Sequence, residues 1–600
     1  MSKTTIPDRK EVPIEETWNL ESIFPTVADW EAALKEVEQK TPELAKYQGR
    51  LRESPQTLLE YLKKAEYLNR LALKVMVYAG LDISTDVSVP EATARMGQGR
   101  SAIIKVAAAR AFDDPELMTI GFPKLKEWML EEPELAIYAH YFDNLEREAV
   151  HVRSAEVEEV LAMAFEPMQP NAPYSALTDS ELRFKPAISS KGDEYDVGQS
   201  SIDSLITHVD QEVRRTAYEN YADAYLAFKD TIAGIQTMAF QRDIFNSRAR
   251  RYKSSLEASM SPSNIPEEVF HNLINVFKTN LPTWHKYWRV RRKALGYDQL
   301  KVYDIKAPLS DEKVVIPYNQ SVDWICAGMA PLGEQYVQIL RDGCTKDRWV
   351  DRALNKGKRQ GAFSWGTYDT QPFIMMSYAN DIFDLSILAH ELGHSMHSYY
   401  SRKNQPFVYG NYSMFVAEVA SNFNQAMVRD YLFKHNSDPK FQLALIEEAM
   451  SNYHRYFFIM PTLARWELEM HQRVEKGQPV NAAIYIDRCA EFFMEGYGDE
   501  VIYDRDRIGI TWAQFGHMYM NYYVYNYATG ISGAHALADR VLSGEEGAAD
   551  DYLAFLKAGN SKYPLDALKM AGVDLTNPEP VEKAFGVLGD IVNRLESLIS

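Results

Sequence analysis

At 600 residues, 46% hydrophobic and 25% charged, the chain has the composition of a soluble globular protein and enough apolar material for more than one packed core. A formal charge of -19 and an isoelectric point near 5.3 argue against nucleic acid or an anionic membrane as partner, since both would be repelled at long range. Three scattered cysteines, Cys326, Cys344 and Cys489, exclude a disulfide framework, and no apolar run approaches the ~18 residues of a membrane span, so a cytoplasmic protein is expected.

Residues 1–16 are polar and of mixed charge and read as a mobile tail. Residues 18–24 then bring apolar surface to anchor the chain, and Asp29 is placed to cap a helix. From residue 30 to 165 long amphipathic helices follow one another, broken at Pro42, Ser54-Pro55, Asp86 to Pro90 and Asp113 to Pro115. Residues 166–198 are richer in Pro, Asn, Ser and Gly, and residues 182–185 with 190–193 suggest a short hairpin. A domain boundary is expected near 185–200, giving a tail (1–16), an N-terminal helical domain (17–190) and a catalytic domain (200–600).

Helical patterning resumes at Ser201 and runs to about residue 295. Basic residues cluster at 289–293 and 356–359 and read as solvated faces. Residues 301–305, 361–365 and 373–378 are the strand candidates, the last two around the turn at Asp369-Thr370-Gln371-Pro372, and they predict a small sheet. Its edge could take an extended peptide as an added strand, through main-chain hydrogen bonds, or could be purely structural.

Residues 384–401 carry the densest chemistry in the chain. His390-Glu391-Leu392-Gly393-His394 places two imidazoles one helical turn apart on one face, where they can share a metal ion, with Glu391 beside it. A metal held this way acidifies a water that a nearby carboxylate can deprotonate. Leu385, Leu388, Leu392 and Tyr399 form the packing stripe, and Ser386, His390, His394, His397 and Ser401 a polar stripe expected to meet a cleft; Asp384 is the expected N-cap. A further helix follows residues 410–413, with Glu418, Asn422, Gln425 and Arg429 along one polar stripe, which a solvated face would also show. Glu418 lies 24 residues beyond His394, room for a turn and an antiparallel return, and is the natural third ligand. Helices are then expected over 441–476, 481–494 and 511–528, the last ended by Gly530 and Gly533. On that last helix Tyr522 and Tyr525 share a face behind His517, as donors for an oxyanion or as packing.

With these residues in hand the chain resembles the thimet-oligopeptidase family of zinc peptidases, in its bacterial oligoendopeptidase F branch. The resemblance is carried by the opening at 18–30, the 361–378 stretch with Tyr368-Asp369-Thr370-Gln371-Pro372, the extended motif from His390 to His397, Phe415-Val416-Ala417-Glu418, and the tyrosine-rich run ending Tyr527-Ala528-Thr529-Gly530. It implies one Zn2+ on His390, His394 and Glu418, with Glu391 as general base and acid. It also implies transition-state donors at His517 and in the 519–525 run, for which Tyr525 and then Tyr522 are the expected residues. A metzincin pattern is excluded, because it needs Gly at 397 and His at 400, where this chain has His397 and Tyr400.

The expected fold is mainly α, a multi-helical zinc metallopeptidase with a small β-sheet beside the active-site helix and an N-terminal helical domain covering the cleft. The expected activity is hydrolysis of internal bonds in short unstructured peptides. The alternatives are a peptidyl-dipeptidase or carboxypeptidase, which would need a fixed charge for a terminus such as the basic run at 356–359, and a non-catalytic zinc-containing peptide-binding protein.

Overall fold

A computed structural model describes residues 6–165, 167–310 and 314–600. The fold is mainly α with small sheets, and by compactness it forms two units that alternate along the sequence. The first comprises residues up to 150, 315–432 and 537–572, and the second comprises 151–314, 433–536 and 573–600.

In the first unit the helices Val27–Lys40, Pro55–Thr85 and Pro90–Ala109 bury an apolar cluster. The cap of Val27–Lys40 is Thr26, not Asp29; Asp29 sits one turn in and its carboxylate accepts the Thr26 N–H, closing a capping box. Trp18, Trp30, Val75 and Tyr78 pack with Phe373 and Met375 of a three-stranded sheet, so the N-terminal helices rest on that sheet. Its strand order is Val350–Asp351, Phe373–Met375, Phe363–Trp365, the first pair parallel and the second antiparallel. The last two strands were expected; Val350–Asp351 is too short to show alternation.

Asp351 is a buried anchor. Arg9 pairs with it, Lys358 reaches it at 2.7 Å, and the Arg352 and Lys356 N–H groups donate to the Glu16 and Pro7 carbonyls, which fastens the described N-terminal stretch onto residues 351–358. Lys358 is therefore buried and paired, not solvated.

In the second unit, helices including Gln211–Leu226, Lys229–Ala249, Leu281–Ala294, Pro439–His454, Met460–Glu475 and Ala482–Tyr497 pack together, and the hairpin expected from residues 182–185 and 190–193 forms later, as Ala187–Ile188 with Glu194–Tyr195. The strand expected at 301–305 is only Leu300–Lys301, parallel to Val501–Ile502. A 3-10 turn over Val302–Asp304 then carries Asp304 inward to pair with buried Arg214 at 2.9 Å. Arg291 of the other basic run is likewise buried and donates to the Ala307 carbonyl.

The helix expected over 511–528 does not form. Short 3-10 turns at Ile510–Gln514 and Gly516–Tyr519 lead to a non-helical stretch, and a helix begins only at Tyr525 and runs to Leu542. Gly530 and Gly533 lie inside that helix and are buried, so they serve packing and do not end it.

Candidate metal centre

The motif helix is Ile382–Asn404. Its cap is Asp381, whose side chain accepts the Asp384 N–H; Asp384 turns back instead to accept the Ala379 N–H. Of the polar stripe only His390 and His394 keep partial exposure. Ser386, His397 and Ser401 are buried, the Ser401 hydroxyl donating to the Gly410 carbonyl and the His397 ring stacked 3.6 Å from Tyr412. The expected cleft-facing stripe is thus two residues wide.

The return helix Met414–His435 crosses the motif helix at Gly393. A Cβ there would collide with the Ala420 carbonyl and the Ser421 Cα, so the approach is backbone to backbone and only glycine permits it. That contact sets Glu418 beside the two imidazoles. One donor atom from each of His390, His394 and Glu418 lies within 4.8 Å of the others, and this is the group that could hold a metal ion among the described residues. Glu418 Oε2 is 3.4 Å from His390 Nε2 and 4.0 Å from His394 Nε2, with each side chain 18% exposed. Ligand atoms about 2.1 Å from one tetrahedral ion lie ~3.4 Å apart, so two imidazole nitrogens and a carboxylate oxygen at this spacing fit a zinc-type site with a position left over.

The surroundings prepare the donors. His390 Nδ1 donates to the Gln425 Oε1 at 3.1 Å, which leaves Nε2 with its lone pair toward the metal position, and Gln425 Nε2 donates in turn to Ser386 Oγ at 2.7 Å. His394 is hydrogen-bonded to the Ala417 backbone, and burial pushes its imidazole down to about 4, so it is neutral. Burial opposes the charge of Glu418, but His394, His390 and the Ser421 hydroxyl outweigh it and hold the carboxyl below its ordinary range. The stripe of Glu418, Asn422, Gln425 and Arg429 is not a solvated face, since Asn422, Gln425 and Arg429 are buried.

Glu391 is 7% exposed. The Ser364 N–H of the edge strand donates to its carboxylate, while Oε2 has no partner. Burial first, and Glu418 after it, push this carboxyl up to about 7 against the pull of His390 and of Ser364. A carboxylate with a free lone pair and an affinity for protons near neutrality is equipped to take a proton and return it. Phe383 and Ile387, two turns and one turn before His390 on the same face of the helix, are exposed apolar side chains.

His517, Tyr522 and Tyr525 belong to the second unit. His517 is partly exposed, its Nδ1 has no partner, and its ring lies 5.7 Å from Tyr523 and 6.0 Å from Tyr527. Tyr522 is buried with φ +47; its N–H donates to Glu467 at 2.7 Å and its ring stacks on His471 at 4.5 Å. Tyr525 opens its helix with its ring 5.3 Å from Phe270, and burial raises the pKa of its phenol, as it does for Tyr522, so both remain protonated donors. The two tyrosines therefore meet at Phe270, not along one helical face.

Sequence reasoning missed the Ser364 N–H and the pairing of Gln425 with His390. Gln425 stood on the right stripe, seven residues after Glu418, and that spacing was its only local signal.

Residues 204–587 match the model of peptidase family M3, and residues 116–184 match that of oligopeptidase F. The chain is 36% identical to Oligopeptidase PepF of Bacillus subtilis over 99% of its own length and 89% of the relative's. It is 32% identical to Group B oligopeptidase PepB of Streptococcus agalactiae over 99% and 98%. The crystal structure of oligoendopeptidase-F from Enterococcus faecium superposes with a TM-score of 0.75 at 27% identity, covering 95% of this chain and 99% of that one. A Chlamydophila abortus crystal structure does so with a TM-score of 0.89 at 30% identity, covering 99% and 100%.

Proposed function

The chain belongs to peptidase family M3, and from that premise we propose that it is a zinc-dependent endopeptidase of the cytoplasm that hydrolyses internal bonds of short, unstructured oligopeptides. The observation that carries the reading is the convergence of His390, His394 and Glu418 beside a Glu391 carboxylate with one unpartnered oxygen. Bound there, Zn2+ would supply Lewis acidity, polarising the scissile carbonyl and acidifying water.

The chain's own residues do the rest. Gln425 keeps His390 in the tautomer that ligates, and the Ser364 N–H fixes the plane of the Glu391 carboxylate. Glu391 Oε2 accepts a proton from the attacking water and delivers it to the leaving amine. The phenols of Tyr525 and Tyr522, kept protonated by burial, and the ring of His517 are the donors proposed for the oxyanion.

The peptide is proposed to enter extended along the outer strand Phe363–Trp365. The Ser364 N–H is spent on Glu391 and not on the neighbouring strand, so the open edge runs beside the catalytic carboxylate. The N-terminal helical domain, residues 17–190, is proposed to cover the cleft and restrict entry; its early helices pack on the same sheet through Trp18 and Trp30.

A terminus-directed reading loses its anchor in the basic run, where Lys356 pairs with Asp8 at 2.9 Å and Lys358 with Asp351. A purely structural metal is disfavoured by three ligands with a fourth position open and by an acid poised beside them. The test is incubation of the purified protein with peptides of graded length, blocked at both ends, with and without a zinc chelator. Internal cleavage of blocked peptides that stops with chelator and returns with Zn2+ is expected. Cleavage that requires a free terminus would move the reading to an exopeptidase, and no cleavage of any peptide would end it.

A further inference from the structure

The second unit contains a cavity of about 480 Å3, and of the residues proposed for the peptidase chemistry only His517 lines it. It is walled by apolar side chains including Ile202, Ile206, Val302 and Ile459, a volume and lining suited to a ligand with a substantial apolar body. Its polar groups are unusually short of partners. His454, 7% exposed, has no hydrogen bond to either ring nitrogen; burial, with Lys306 and Arg291 behind it, keeps the ring neutral, so it offers one donor and one acceptor. The Tyr218 hydroxyl and Arg455 Nε are also buried without a partner. A buried polar atom without a hydrogen bond is costly, and three such residues around one cavity are a reason to look for what satisfies them.

The charge at the cavity points to the ligand. Lys306 Nζ and Arg455 Nη1 both reach the same carboxylate, Asp203, at 3.5 and 3.7 Å, longer than the roughly 2.7–2.9 Å of a charge-assisted bond. Asp203 is itself 65% exposed, and Asp179, the other acid on the lining, is exposed at the rim. Two cations thus share one loosely held, solvated anion while a neutral imidazole and a phenol wait beside them.

We propose that this cavity binds an apolar organic carboxylate, its carboxylate on Lys306 and Arg455, its aromatic or branched body among the isoleucines, and its polar link to Tyr218 and His454. Such a group occurs both at the C-terminus of a peptide ending in a large apolar residue and in a free aromatic acid. The inference does not rest on the peptidase reading.

The experiment is calorimetric titration of the full-length protein, zinc-loaded and zinc-chelated, with N-acetyl-L-phenylalanine, its neutral amide, and 3-phenylpropanoate. The expected result is one site per chain for N-acetyl-L-phenylalanine, at least tenfold weaker for the amide, and unchanged by chelation. Lys306→Met should weaken it tenfold or more, and Ile206→Trp, which fills the cavity from a partly exposed position and covers the case in which the lysine variant fails to fold, should abolish it. Binding of 3-phenylpropanoate with equal affinity would assign the site to free acids, and its failure to bind beside the N-acetyl compound would assign it to peptide C-termini. Equal binding of acid and amide, binding lost on chelation, binding indifferent to Ile206→Trp, or no binding of either acid would overturn the proposal.

Discussion

Glu391 donates no hydrogen bond and accepts one, from Ser364, while its second oxygen is buried without a partner, a state that burial makes expensive once the carboxyl is charged. The sign of the consequence follows from the raised value. Between the ordinary 4.5 and about 7 the folded metal-free protein keeps a proton that the unfolded chain has lost, so this group's contribution to stability falls as pH rises through that window. At 1.36 kcal/mol per pH unit the full cost is on the order of 3 kcal/mol above pH 7. Glu391→Gln should therefore raise the denaturation midpoint of the chelated protein above pH 7 and leave it unchanged below about pH 4.5. Equal midpoints at both ends would show that the carboxyl is not strained. Gln425 acts on the other side of the centre. Gln425→Leu keeps the volume and removes the acceptor that fixes the His390 tautomer, and metal affinity measured against a competing chelator should fall about 10- to 100-fold. Unaltered affinity would reduce Gln425 to packing.

At the scale of elements, the centre depends on how closely two helices can approach. Gly393→Ala inserts a methyl group against the Ala420 carbonyl and the Ser421 Cα, which belong to rigid helix backbone and cannot swing aside. The expected result is about 1–3 kcal/mol of destabilisation together with weaker metal binding, because Glu418 moves with its helix. Loss of stability with metal affinity intact would mean that Glu418 is placed by something other than this contact. The same two helices show what a sequence can and cannot declare. A helix fixes the spacing of His390 and His394, so they were legible; Glu418 was legible because its stripe and the loop length allowed an antiparallel return. Asp384 was misplaced as a cap because Asp381 offers the same side chain one turn earlier, and local sequence does not rank them. The tyrosine run was misread for a tertiary reason. Its residues recur at helical spacing, but Glu467, 55 positions away, takes the Tyr522 N–H and holds that residue at φ +47, where no helix can pass. Lys358 and Arg291 were taken for solvated charges because their buried partners, Asp351 and the Ala307 carbonyl, lie outside any local pattern.

At the scale of the molecule, the proposed restriction on substrate rests on recessed ligands, each 18% exposed, and on a helical N-terminal half with no catalytic group of its own. A flexible chain of roughly 5–20 residues, extended at about 3.3 Å per residue, can bring its backbone to such a centre, and a folded protein cannot. The same sequence offered as a free peptide and as an exposed loop of a stable host should be cut only in the first form. Rapid cutting of the folded host would remove the covering role from the N-terminal domain. The central claim, that Glu391 moves the proton at a metal held by His390, His394 and Glu418, is tested most directly by measuring zinc content and peptide turnover on one preparation of Glu391→Gln. The account predicts a full equivalent of zinc, as in the parent, with turnover reduced by about 100-fold or more, because an amide ligates nothing here and cannot accept the water's proton. A variant that holds its zinc and cleaves peptide at the parent's rate would contradict it.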